Sequence, residues 1–304
     1  MFFRFSDIIP REHGVWAILL VPYFSGALAR GKPGVPSLLL LICVISLNLL
    51  RGCGEFYSLN IVNKKEFYPN IKRRGDATKR SCRSGELQKK NCSKNKFLQS
   101  NSIKSFYIYT FFIFVLFLLL SSALLFYFQL WNLLIFGFLA FLLIGLYYLI
   151  IIKKKYKRIT QQFIAFSGLT LTAPAAYYVT TGNWDGNVFI IWILNVIFFQ
   201  LGMLYVHNKI SLHQKRKQID SFIDKLKFTS NLFTGWCFSV IILYGLFLAG
   251  LLDPVFFAIL LPISIHIISG IFFYKRELQI KRMGYSLVGQ DIFFLIIIIY
   301  LFRL

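Results

Sequence analysis

The residues of this 304-residue chain with the most obvious chemical potential lie at or near the ends of long apolar stretches. They bring together acids, bases and a phenol, and they are Arg11, Glu12, His13, Arg51, Glu55, Tyr205, His207, Lys209, Arg276 and Asp291. Ionisable groups inside a membrane segment are costly, so such groups are usually paired or functional. We predict that these side chains surround one polar chamber that could admit the head of a lipid.

The spacing of Arg51 and Glu55 supports this prediction, because residues four apart share one face of a helix. An arginine–carboxylate pair in a partly desolvated place is a strong and oriented contact. We expect Glu55 or Glu12 to lie within salt-bridge distance of one of the cations Arg11, Arg51, Lys209 and Arg276. The alternative is that these polar helix ends only extend to the membrane interface. For His266, in the middle of an apolar stretch, we expect a hydrogen bond between helices.

The elements that would position these residues follow from composition. The chain is 57% hydrophobic, 18% aromatic and only 15% charged, with a mean hydropathy of +0.64, whereas soluble domains are about 45–50% apolar and about 25% charged. A membrane-spanning helix needs about 20 apolar residues. Such stretches occur at 13–29, 37–57, 106–128, 131–152, 163–180, 187–206, 229–250, 254–274 and 286–302. We predict an all-α, polytopic transmembrane helix bundle of about nine spans, with residues 1–304 as a single transmembrane domain.

The charge distribution predicts the orientation. Lys and Arg number 34 against 12 Asp and Glu, and most of them fall in four segments, at 62–104, 153–162, 207–228 and 275–285. Basic residues in short loops mark the cytoplasmic side. We therefore place these loops and the N-terminus in the cytoplasm and the C-terminus outside. The net charge of +22 then follows from topology, and we predict no nucleic-acid partner.

The segment 62–104 differs from the rest of the chain. Lys, Arg, Asn and Ser dominate it, so it has little apolar surface to bury. We predict a basic, partly flexible cytoplasmic loop within the membrane domain.

A family resemblance adds to this interpretation. Residues 10–17, Pro-Arg-Glu-His-Gly-Val-Trp-Ala, followed by Pro22 and Gly26, resemble the signature of the YwiC-like family of bacterial integral membrane proteins. The stretches 167–176, 204–207 and 281–286 are similar to that family too. His207 stands where the family usually shows an arginine after a Tyr-Val pair. The resemblance implies a protein of the bacterial cytoplasmic (inner) membrane and names no reaction.

The span number, the cytoplasmic N-terminus and the early Arg11, Pro22 and Gly26 also resemble the UbiA-type intramembrane prenyltransferases. That resemblance implies two Asp-rich motifs that bind Mg²⁺ and a prenyl diphosphate, since Mg²⁺ neutralises the leaving group. The matching stretch of the second span contains Asn48, Arg51 and Glu55 and lacks the Asp pair. We predict no metal site and no cofactor, with Mg²⁺ expected only if the chain catalyses prenyl transfer.

These observations lead to two functional hypotheses, and they leave open whether the protein is an enzyme. The first is a membrane protein that binds or modifies an amphipathic lipid or quinone in a cytoplasm-facing chamber, with anionic or isoprenoid membrane lipids as partners. The second is a transporter, or a non-catalytic accessory subunit of a membrane complex of the respiratory type. A closed chamber favours the first hypothesis, whereas a continuous two-sided pathway favours transport.

Overall fold

The computed structural model describes residues 13–53, 107–153, 158–214, 222–272 and 280–303. All regular structure in these ranges is helical, which confirms the predicted all-α class. The α-helices are α1 His13–Ala29, α2 Val35–Cys53, α3 Tyr107–Tyr127, α4 Leu133–Lys153, α5 Arg158–Leu169, α6 Thr172–Thr181, α7 Gly186–Gln214, α8 Phe222–Leu248, α9 Leu261–Phe272 and α10 Ile280–Arg303. The last turn of α3, Ala123–Tyr127, is π-helical, and the 3-10 helix Pro254–Leu260 leads into α9.

Seven helical stretches in the described part of the chain are long and apolar enough to cross a membrane. They are Val35–Cys53, Tyr107–Tyr127, Leu133–Ile150, Thr160–Thr181, Gly186–Ser211, Thr229–Leu248 and Met283–Arg303. The two remaining predicted spans correspond to the shorter apolar helices Trp16–Ala29 and Pro254–Ile268. The polytopic helical bundle is thus confirmed, with two of the nine predicted stretches shorter than an ordinary span.

Packing divides the chain into two compact units. The first includes the described residues 39–53 and 107–129, and the second includes 13–38 with the described residues from 130 onward. In the first unit, the thiol of Cys43 on α2 and the hydroxyl of Ser121 on α3 are 3.4 Å apart and hydrogen-bonded. The single transmembrane domain over 1–304 stays a prediction, and the predicted loop 62–104 lies outside the described residues.

In the second unit, α1 packs most closely against α6 and α10. Gly26 allows the approach to α6, because a Cβ atom there would collide with the backbone carbonyl of Ala173. The hydroxyl of Tyr23 donates to the backbone carbonyl of Ser37 at 2.7 Å and ties α1 to the start of α2. Small residues and such interhelical hydrogen bonds are the usual means of helix association in membranes.

The helices of the second unit differ in burial. Helix α7 is mostly buried and contacts α6, α8 and α9, whereas α4 and α8 expose large apolar side chains such as Phe138 and Ile241. Exposed apolar surface of this kind fits contact with lipid. With 29 residues at about 1.5 Å each, α7 is longer than the hydrocarbon core of about 30 Å.

Candidate functional site

Three helices of the second unit bring polar side chains together, and we call Tyr205, Lys209, His266 and Ser286 the polar cluster. The imidazole of His266 on α9 stacks on the phenol ring of Tyr205 on α7, with centroids 4.7 Å apart and planes at 21°. The Nε2 atom of His266 lies 3.2 Å from the hydroxyl oxygen of Ser286 on α10, and the histidine tautomer decides which atom donates. The interhelical hydrogen bond that we predicted for His266 is therefore confirmed.

Helix α7 supplies two members of the cluster from one face. Phe198, Gly202, Tyr205 and Lys209 follow one another at steps of four, three and four residues, which keeps them on a single helical face. Tyr205 is only 8% exposed, and Lys209 is half-buried one turn further on. Lys209 is thus one helical turn from the phenol ring on which His266 stacks.

Helix α9 holds His266 between its neighbours. It packs against both α7 and α8, and the indole N–H of Trp236 on α8 donates to the hydroxyl of Ser264 at 2.9 Å. Ser264 lies two residues before His266, so this hydrogen bond fixes the helix that positions the imidazole.

The polar cluster offers complementary hydrogen-bonding groups in an apolar bundle. The ammonium of Lys209 donates only, whereas the His266 ring and the Ser286 hydroxyl can each donate or accept. Hydrogen bonds from a charged donor are stronger than those between neutral groups. The arrangement is suited to holding oxygen atoms of a polar head at the level of Tyr205.

The other described residues of the predicted chamber are His207, Asp291 and Arg51. His207 is half-buried on α7, but two residues turn a helix by about 200°, which places it on the other side from Tyr205. Asp291 is half-buried on α10, five residues beyond Ser286. Arg51 lies near the end of α2 in the first unit.

Four other residues of the predicted chamber lie outside the described residues, as does the side chain of His13. They are Arg11, Glu12, Glu55 and Arg276. The ion pairs expected around Glu55 therefore stay a prediction. Ser286 was missed by sequence reasoning, because a lone serine in an apolar helix carries little signal unless its partner is known.

The described residues do not fit the magnesium site of a prenyltransferase. At the positions that match its first motif, α2 carries the amide of Asn48 and, one turn later, the guanidinium of Arg51, whose charge repels a divalent cation. Mg²⁺ prefers carboxylate oxygens, and the described part of the chain contains no group of three or more His, Cys, Asp or Glu that could hold a metal ion.

Comparison with known proteins identifies one family. The model described as YwiC-like protein matches residues 9–66, so the predicted resemblance is confirmed over that segment, which includes α1 and α2. No curated protein and no solved structure matches the chain. The UbiA-type resemblance stays a prediction, and the polar cluster lies outside the matched segment.

Proposed function

The chain contains a YwiC-like segment and forms a polytopic membrane bundle. We propose that this protein binds an amphipathic lipid, of the quinone or anionic class, at the polar cluster. The observation that carries the proposal is the stacking of His266 on Tyr205, with a hydrogen bond to Ser286 and with Lys209 one helical turn along α7. Three helices contribute to this arrangement, so it is a property of the folded bundle.

The chemistry of the cluster supports a polar head as the ligand. A half-buried lysine inside a membrane segment is costly unless an acceptor compensates it. Carbonyl or phosphate oxygens are such acceptors, and a lipid delivers them to this depth together with an apolar tail. Exposed apolar residues on the same helices, such as Ile265 and Ile292, offer a surface along which that tail can lie.

The predicted topology gives the site its orientation. Lys209 lies within the basic segment 207–228, near the end of α7, and Ser286 directly follows the basic segment 275–285, near the start of α10. In the orientation that the basic loops predict, the cluster opens toward the cytoplasmic face of a bacterial inner membrane. We propose this chamber as the place where lipid or quinone enters.

The proposal is tested by native mass spectrometry of the full chain in lipid nanodiscs supplied with decyl-ubiquinone or phosphatidylglycerol. His266→Phe keeps a ring to stack on Tyr205 but removes both ring nitrogens, and Lys209→Met keeps the stem but removes the charge. Charge-assisted hydrogen bonds contribute about 1.5–3 kcal/mol, so we expect Lys209→Met to weaken binding by about tenfold or more.

Ser239→Ala is the matched control, because the Ser239 hydroxyl donates to the carbonyl of Gly235 within its own helix, α8, and does not belong to the polar cluster. We expect its lipid content to equal that of the unaltered protein. Equal binding of both ligands by His266→Phe, Lys209→Met and the unaltered chain would overturn the proposed function and favour a non-catalytic structural subunit.

A further inference from the structure

We propose that the polar head of the ligand sits in a gap beside Gly202, between α7 and α10, and that Gln290 hydrogen-bonds it there. This inference rests on the proposed function and names the class of ligand. The gap, which we call the Gly202 gap, lies between two aromatic contacts that join α7 to its neighbours.

The first contact bounds the gap on one side. Phe198 on α7 and Phe294 on α10 stack with centroids 4.1 Å apart and planes at 13°. Phe294 is fully buried. The backbones of α7 and α10 approach each other little, so large side chains bridge the distance between them.

The second contact is the stack of Tyr205 on His266, seven residues further along α7. Seven residues of helix extend about 10 Å. On α10, Phe294 belongs to the first contact, and Ser286, eight residues earlier, hydrogen-bonds His266 of the second contact. Between the two contacts α10 therefore runs in the opposite direction to α7. The two contacts are therefore about two helical turns apart on both helices.

Gly202 lies between these contacts on the same face of α7, one turn from Phe198 and one turn from Tyr205. It is half-buried. Apart from its own helix backbone and chain neighbours, no atom of the described protein lies within 4 Å of the position that a Cβ would take. A glycine that its neighbours do not crowd leaves space at this level of the bundle.

Gln290 marks the same level on α10. It lies one turn after Ser286 and one turn before Phe294, on the ridge that carries both. Its side chain is only 8% exposed, and its amide nitrogen Nε2 has no hydrogen-bond partner in the part of the chain that the structure describes. A buried donor without a partner is costly, so an acceptor supplied by a ligand would satisfy it.

These features point to a quinone rather than an anionic phospholipid. Gln290 is a neutral donor at the level of Gly202, and the polar cluster closes the gap at its Tyr205 end, which matches a ring with carbonyl oxygens at opposite edges. Aromatic rings above and below the gap suit a flat head. The carboxyl group of Asp291, which follows Gln290 in the sequence, would not attract an anionic head.

The test uses decyl-ubiquinone and the full chain in nanodiscs, with the dissociation constant and the unfolding temperature measured for each variant. Gly202→Leu fills the gap, and we expect at least a tenfold weaker affinity with an unchanged or higher unfolding temperature, because leucine favours helix more than glycine does. Gln290→Met removes the donor at similar volume, and we expect a severalfold weaker affinity without a loss of thermal stability.

Gly245→Leu on α8 is the control, since this exposed glycine also has open space around it and lies away from the gap. We expect it to bind the quinone normally. Wild-type affinity in Gly202→Leu would overturn the gap, and so would a fall in its unfolding temperature that Gly245→Leu does not share.

The outcomes separate this inference from the proposed function. If Gly202→Leu and Gln290→Met bind normally while His266→Phe loses the ligand, binding in the Gly202 gap is refuted and binding at the polar cluster is supported. If His266→Phe and Lys209→Met also bind normally, both proposals fail. Binding of phosphatidylglycerol but not of decyl-ubiquinone would overturn the quinone class.

Discussion

Gly26 of α1 lies directly against the backbone carbonyl of Ala173 of α6, with no room for a side chain between them. The Cβ that a larger residue would carry there would also lie 3.0 Å from the backbone nitrogen of Tyr177. Both obstacles are backbone atoms, which cannot move aside as a flexible side chain can. The contact therefore sets the distance between α1 and α6.

We predict that Gly26→Ala destabilises the protein, although alanine favours helix more than glycine does. Overpacking typically costs about 1–3 kcal/mol, and the rigid neighbour places this case at the upper end of that range. Unfolding in detergent by titration with sodium dodecyl sulfate measures the effect. Gly145→Ala on α4 is the control, because it meets no described neighbour within 4 Å; equal effects of the two changes would contradict the prediction.

A second prediction concerns Ser25 and Asn195, which join α1 to α7 in the buried interior. The amide of Asn195 is fully buried, donates to the Ser25 hydroxyl at 3.0 Å, and also donates to the carbonyl of Ile191. Interhelical hydrogen bonds in membrane proteins average about 0.6 kcal/mol and reach about 1.7 kcal/mol. A double-mutant cycle with Ser25→Ala and Asn195→Ala should give a coupling free energy in that range. A coupling near zero would show that this hydrogen bond does not hold the two helices.

The third prediction concerns Arg30 and Arg303, at the ends of α1 and α10. Arg30 donates to the backbone carbonyl of Phe302 at 3.0 Å, and Arg303 donates to that of Leu28 at 3.3 Å, so each arginine caps the other helix. Arginine side chains stabilise helix C-termini by binding the last carbonyls.

We expect Arg30→Met to speed amide hydrogen exchange in the last turn of α10, and Arg303→Met to do so in the last turn of α1. A net hydrogen bond of about 0.5–1.5 kcal/mol predicts a two- to tenfold acceleration. Lys32→Met, at an exposed residue of the same connection, should change neither rate. Acceleration confined to the mutated helix itself would refute reciprocal capping.

The fourth prediction is the topology. Single cysteines at Lys89, Lys155, Lys217 and Arg282, in a chain whose five native cysteines are replaced by serine, should react only from the cytoplasmic side in oriented vesicles. Basic loops are retained on that side during insertion. Cysteines at Asn183 and Asp253 should react only from the opposite side, and a basic loop labelled together with them would reverse the assignment.

Several helices could be predicted from the sequence alone, because the apolar length of a segment is a local property. The predicted stretch 13–29 coincides with α1, which the Gly- and Pro-containing connection at 30–34 terminates. The stretch 187–206 was too short, since α7 continues to Gln214 through residues that include neither Gly nor Pro to end the helix. The stretch 163–180 proved to be two helices, α5 and α6, separated by the turn at 170–171.

The candidate site could be predicted only in part. Sequence pointed to Tyr205 and Lys209 because the predicted topology gathers several polar helix ends on the same membrane face. It could not pair them with His266 and Ser286, which are 61 and 81 residues beyond Tyr205, because only the packing of α7, α9 and α10 decides which helix faces meet. The same holds for two glycines that each lie within an apolar stretch of the sequence. Gly26 touches the backbone of a neighbouring helix, whereas Gly202 leaves a space beside its helix. Composition determines which segments enter the membrane, whereas the distances between helices, set by tertiary packing, decide where a ligand can be held.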